Sequence, residues 1–93
     1  MQQWYVYILR CADDTFYTGV TTDLKRRVRE HNECNRLGAR YTRVRRPVQL
    51  VWSESQADRS VALKREYAIK QLRRPAKLRL ISDYRVSAEE LMV

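Results

Sequence analysis

The chain has 93 residues, 44% of them hydrophobic, 10% aromatic and 32% charged, with two glycines and two prolines; this is one domain length of foldable composition, and it excludes the disordered and fibrous classes and leaves little room for an enclosed large-cofactor cavity. Nineteen Lys and Arg against eleven Asp and Glu give a net charge of +8, and fifteen of those cations are Arg, whose planar fork of donors suits phosphate, so a polyanion, nucleic acid first, is the expected partner. Two cysteines without a Cys-x-x-Cys pair, no uncharged run near the ~20 residues of a membrane span and no cationic leader at Met1-Gln2-Gln3-Trp4 fit a reduced, cytoplasmic chain without a membrane partner.

Trp4 to Cys11 is apolar, aromatic and β-branched, Ala12-Asp13-Asp14-Thr15 offers turn chemistry, and Phe16-Tyr17-Thr18-Gly19-Val20 resumes strand composition, which predicts a β-hairpin. Thr22-Asp23 supplies an N-cap for a helix running to about Glu33. Cys34 to Arg46 reads as one long irregular stretch. Pro47 then opens a third strand, Val48 to Trp52. Ser55-Gln56-Ala57-Asp58 resembles a capping box before a long helix through about Leu72. Pro75 restarts a short helix, Ala76 to Ile81, and Ser87-Ala88-Glu89-Glu90 offers a last frayed turn. The order β-β-α-β-α-α predicts an α+β fold, layered as in α/β proteins, with a small, mainly antiparallel three-stranded sheet flanked by helices. One domain over residues 1–83, followed by a tail over 84–93, is expected.

Polar residues inside apolar stripes mark the candidate site. In the first helix Leu24, Arg27, Val28 and His31 share one face, so a guanidinium and an imidazole sit one turn apart among packing residues. In the long helix the stripe Ala62, Leu63, Glu66, Ile69, Leu72 has a carboxylate at its centre, which calls for an Arg, a metal ion or a wet cleft beside it. A static salt bridge between Glu66 and Arg27, or a neighbouring Arg, would satisfy the same pattern. Three of the six tyrosines lie in the hairpin; strand alternation puts Tyr5, Tyr7, Leu9 and Cys11 on one face and Tyr17 and Gly19 on one face, and an odd-length loop or a bulge would bring the two sets together. His31, Cys34 and Cys11 fall short of the four ligands of a structural zinc site.

In this order and spacing the residues resemble a GIY-YIG nuclease domain. Tyr5-Val6-Tyr7 stands at the Gly-Ile-Tyr position and Tyr17-Thr18-Gly19 at the Tyr-Ile-Gly position. Arg27 and His31 follow at the family's helical spacing, and Glu66 matches its metal-binding glutamate. The match runs from about Trp4 to Ile81, as in the short stand-alone bacterial members. Gly38-Ala39-Arg40-Tyr41-Thr42 with Arg45-Arg46-Pro47 is similar to a loop those proteins share with structure-specific members. Tyr5 and Thr18 depart from the pattern, as does the absence of the asparagine that many members carry after the glutamate.

The resemblance implies a metal-dependent DNA endonuclease. One divalent ion, Mg2+ with Mn2+ as the alternative, would be held by Glu66 and water, a set that fits a hard cation keeping much of its hydration shell. Arg27 would stabilise the phosphate, and Tyr7, Tyr17 and His31 would position and deprotonate the attacking water, with the identity of the base left open. Arg36, Arg40, Arg43, Arg45 and Arg46, together with Lys70, Arg73, Arg74 and Lys77, are expected to track phosphates. Tyr41 and Thr42 are expected on an unpaired base or sugar, with Tyr5, Thr18 and Gly19 facing the strand. A monomer acting on single-stranded or branched DNA in preference to duplex follows from a lone domain with an aromatic-bearing Arg loop. The competing readings are a noncatalytic nucleic-acid-binding module and, less well supported, a basic protein-interaction domain.

Overall fold

A computed structural model describes residues 3–92, with side chains through Tyr84. The hairpin is formed by β1 (Trp4–Arg10) and β2 (Phe16–Thr21), the first helix α1 is Leu24–Glu33, and a single short turn of helix, α2 (Arg40–Arg43), follows. Then come β3 (Gln49–Gln56), α3 (Arg59–Lys70) and α4 (Arg74–Met92). The three strands form one antiparallel sheet in the order β2-β1-β3, and the expected α+β fold is observed. Among the described residues no helix is long and apolar enough to cross a membrane.

β1 is the central strand, and its unbroken apolar run serves two layers. Val6 and Ile8 join Val51, Trp52, Ala62, Ile69 and Ile81 under α3 and α4. Tyr7, Leu9 and Cys11 join Val48 on the opposite face, where Leu24 and Val28 of α1 pack. A bulge in β3 between the pairs Ile8↔Trp52 and Leu9↔Leu50 puts both Val51 and Trp52 in the first cluster and leaves Leu50 in the second.

Three elements differ from expectation. The irregular stretch contains α2, whose four residues are too few to show helical periodicity in the sequence. The capping box at Ser55 does not cap: pairing with β1 extends β3 through Gln56, and Asp58 takes the N-cap role by accepting from the Val61 amide at 2.9 Å. Finally, Arg74–Met92 is one helix where a short helix and a separate turn were expected, with Pro75 in the first turn, where no amide is required.

Candidate active site

The hairpin register builds the floor of the site. Five residues, Cys11 to Thr15, separate β1 from β2, and this odd count pairs Tyr7 with Gly19 and Leu9 with Tyr17, so both tyrosines project from one face. The Tyr7 ring lies directly across Gly19: a Cβ there would stand 2.5 Å from Tyr7 Oη and 2.7 Å from Cζ. The glycine is thus required by close approach rather than by backbone conformation. The Tyr7 and Tyr17 ring centroids are 6.4 Å apart.

Above this floor lies α1, started by Asp23, whose carboxylate accepts from the Arg26 amide at 3.1 Å. The helix delivers His31 into the core with no exposed surface. Its Nε2 lies 2.9 Å from Tyr7 Oη and its Nδ1 lies 2.8 Å from Thr42 Oγ1. The Tyr17 ring meets the imidazole edge-on at 5.1 Å between centroids. Asn32, the next residue, clasps the sheet: its side chain donates to the Val48 carbonyl at 3.0 Å and accepts from the Val48 amide at 2.7 Å.

Arg27, one turn before His31, does not bridge to Glu66. Its Nη1 donates to Glu30 Oε1 at 3.0 Å and to the Leu37 carbonyl at 2.6 Å. The guanidinium also stands close enough to the Tyr7 hydroxyl to act on its ionisation, and Nε and Nη2, which neither Glu30 nor Leu37 takes up, are the donors a phosphate could take. Glu66 lies on the sheet-facing stripe of α3 with Ala62 and Ile69, about one fifth exposed, and its nearest cation is Lys70 Nζ at 3.7 Å. The salt-bridge alternative between Arg27 and Glu66 is therefore not what the structure holds.

Burial sets the protonation of the central pair. It pushes the Tyr7 phenol up to about 12, with the neighbouring Arg27 pulling down and the charges of Tyr17 and Glu66 pushing up. His31 is pushed down to about 4, by burial first and by the charge of Arg27 second. Near neutral pH His31 is thus an uncharged imidazole with a lone pair, beside a phenol that keeps its proton.

This has a consequence for stability. The folded pKa of His31 lies below the unfolded value, so its contribution is complete above about pH 6.5, declines as the pH falls and is gone below about pH 4. About 3 kcal/mol is expected to be lost over that window. Denaturant unfolding of wild type and His31→Gln at pH 7 and pH 4.5 measures it. The variant should lose less stability than wild type, and equal losses would remove His31 as the cause.

Several residues expected on the nucleic-acid surface have other work. Thr42 has no exposed surface and bonds His31 and, at 3.0 Å, the Ala39 carbonyl. Arg46 donates to the His31 carbonyl at 2.7 Å and to Asn35 Oδ1 at 2.9 Å, which ties the end of α1 to the loop. Arg45 pairs with Asp13 at 3.0 Å and covers the Tyr41 ring at 3.9 Å, while Tyr17 stacks on that ring at 6.0 Å. Tyr41 itself stays exposed and lines a surface groove beside Tyr17. Arg74 pairs with Asp14 at 3.2 Å and lies over Phe16. Tyr5 is half-buried and donates to Gln3 Oε1 at 3.2 Å.

Arg36, Arg40, Arg43, Arg73 and Lys77 make no side-chain ion pair among the described residues. Thr18 is buried, yet it lines a groove of about 210 Å³ together with Phe16, Tyr17, Tyr41, Lys70 and Lys77. This groove places two ammonium groups beside Tyr17, whose hydroxyl makes no hydrogen bond among the described residues.

Among the described residues no group of three or more His, Cys, Asp or Glu gathers as a ready-made metal cage. A lone carboxylate still fits one kind of ion, a hard divalent cation that retains water and takes further oxygens from a phosphate. Glu66 meets that description, since its carboxylate is committed only to the long contact with Lys70. Glu30, by comparison, is committed to Arg26 and Arg27, and Glu54 to Arg65.

The family model of the GIY-YIG catalytic domain matches residues 3–79. A UPF0213 protein of Desulfotalea psychrophila is 64% identical over 69 residues, or 74% of this chain and 62% of that protein, so the chain spans less than two thirds of that relative. A UPF0213 protein of Staphylococcus saprophyticus is 49% identical over 83 residues, covering 89% of this chain and 99% of the other. A solution NMR structure of a protein from E. faecalis is similar at a TM-score of 0.61 and 38% identity, over 92% of this chain and 90% of that one.

Proposed function

The chain belongs to the GIY-YIG catalytic domain family, a family of nucleases, and from that membership we propose that it is a metal-dependent DNA endonuclease that hydrolyses phosphodiester bonds, with a preference for single-stranded or branched DNA. The observation that supports this reading is the convergence of Tyr7, Tyr17, His31 and Arg27 on one face of the sheet, with the Tyr7–His31 contact at 2.9 Å at its centre. In this reading the attacking water passes a proton to Tyr7 Oη as the Tyr7 proton moves to His31 Nε2. His31 is uncharged and so has a lone pair to receive it, although the burial that keeps it neutral also makes it a weak base, and Tyr7 is not ionised beforehand because burial opposes a free phenolate.

Arg27 offers Nε and Nη2 to the phosphoryl oxygens as charge develops there, while Glu30 and Leu37 keep its plane fixed. Tyr17 presents its hydroxyl to water or phosphate. Glu66 would hold the divalent ion, Mg2+ or alternatively Mn2+, which would supply positive charge at the phosphoryl and leaving oxygens. The strand would run along the groove of Lys70 and Lys77 and past Arg36, Arg40 and Arg43.

A nuclease assay on matched single-stranded, duplex and branched DNA, with Mg2+ or with EDTA, tests this. Cleavage that needs Mg2+ and shows the larger kcat/KM on single-stranded or branched substrate is expected. Equal or duplex-favouring values would refute the preference. Binding without turnover on any substrate would refute the enzyme and identify a noncatalytic binding module.

The free cations predict a salt effect. Changing Arg36, Arg40 and Arg43 together to glutamine should flatten the dependence of log affinity on log salt by about 2, at roughly 0.7 per phosphate contact on a single strand. The same change at Arg45 and Arg46 should act mainly on melting temperature, since those two hold the loop. An unaltered slope in the triple variant would exclude the loop from the binding surface.

A further inference from the structure

We propose that Thr42 is a positioning residue for the reaction, fixing His31 in the form that carries its proton on Nδ1 and turns the Nε2 lone pair toward the Tyr7 hydroxyl. The proposal rests on the Tyr7–His31 pair being the proton-handling part of the nuclease site. A threonine hydroxyl has one proton to give. That proton goes to the Ala39 carbonyl at 3.0 Å, so toward His31 Nδ1, at 2.8 Å, the same oxygen acts as acceptor. The Ala39 amide also points at Nδ1 as a donor, which alone would favour the opposite tautomer, but at 3.4 Å it lies beyond the usual hydrogen-bond range. Nε2 is left unprotonated, 2.9 Å from Tyr7 Oη, and the phenol donates to it.

The donors then run in one direction: Tyr7 to His31, His31 to Thr42, Thr42 to the Ala39 carbonyl. Each bond polarises the next, and all lead away from the phenol oxygen. When the Tyr7 proton crosses to Nε2, the imidazolium already has its second N–H bonded, so no group must turn. His31 and Thr42 have no exposed surface, so solvent does not take the place of a missing partner between them. The short helix α2 is what makes this possible, because it places Thr42 three residues after Ala39, within reach of that carbonyl and of the ring together.

The chain contains a single histidine, so its imidazole nitrogens can be read by NMR with no ambiguity of assignment. The wild type should show the Nδ1–H tautomer. Thr42→Val should mix or reverse the tautomers and lower kcat at least about tenfold with KM within about twofold, and Thr42→Ser should restore both. Should Thr42→Val fail to fold, Thr42→Ala and the wild-type spectrum carry the test. A wild-type Nε2–H tautomer would overturn the proposal, as would a folded Val or Ala variant that keeps both tautomer and kcat. The spectrum does not depend on turnover: an Nδ1–H protein that cleaves no nucleic acid would refute the nuclease reading while leaving the hydrogen-bond assignment intact.

Discussion

Glu66→Gln is expected to lower Mg2+-dependent cleavage by about three orders of magnitude while leaving the fold and DNA affinity in place. The substitution keeps the shape of the side chain and removes the charge that would hold a divalent ion. Little stability should go with it: among the described residues the only ion contact of Glu66 is to Lys70 at 3.7 Å, and that lysine is half exposed, a pair worth at most about 0.5 kcal/mol. The negative charge that opposes ionisation of Tyr7 is removed as well, so loss of activity cannot be assigned to a phenol that has become harder to ionise. Single-turnover rates across a Mg2+ titration, with a melt and a binding isotherm on the same variant, separate the possibilities. Unchanged turnover would remove Glu66 from the site. A lower melting temperature with no selective catalytic loss would make it a structural residue.

The second large effect is expected at Gly19. In Gly19→Ala the new methyl would meet Tyr7 Oη at 2.5 Å and Cζ at 2.7 Å, with Tyr17 Cε1 at 3.2 Å. Tyr7 cannot yield cheaply, because it is buried and bonded to His31. Overpacking of this kind costs about 1–3 kcal/mol, and displacement of a reacting group by about 1 Å costs about a hundredfold in rate. Removing only the hydroxyl would not make room, since the ring carbon behind it is nearly as close. Thus Gly19→Ala in a Tyr7→Phe background should still melt early, whereas in a Tyr7→Leu background the penalty should shrink. Thermal melts of the set, with kcat for Gly19→Ala alone, check this. A Gly19→Ala protein with wild-type melting temperature and rate would show that the ring moves freely.

Much of the architecture was legible because it rests on local rules. Strand alternation and an odd loop suffice to bring Tyr7 and Tyr17 to one face, and a cap at Asp23 with helical spacing suffices to put Arg27 one turn from His31. What was not legible depends on partners distant in sequence. Arg45 looks like a free cation until Asp13, 32 positions earlier, is brought beside it. Arg46 likewise meets the carbonyl of His31, 15 positions away. Nothing local marks Thr42 as the partner of an imidazole, because a threonine in a basic loop reads as surface. Glu30 was available to pattern reasoning, three residues after Arg27 and so within a turn of it, but the apolar stripe drew Arg27 toward Glu66 instead. The capping box at Ser55 failed for a tertiary reason, since the ladder to β1 uses the backbone that a helix would have needed.

The Tyr7 face of the sheet is at once a packing layer and the floor of the site, and this bears on how such a protein can diversify. In larger enzymes a stable scaffold carries exchangeable loops, so chemistry and folding drift independently. Here Tyr7, His31 and Thr42 are among the most buried side chains of the molecule, and exchanging any of them alters the interior as well as the reaction. In the proposed nuclease, variation in what is recognised would be channelled to the rim, where Arg36, Arg40, Arg43 and Lys77 make no ion pair among the described residues. A lineage of such chains would keep one reaction and explore many substrates.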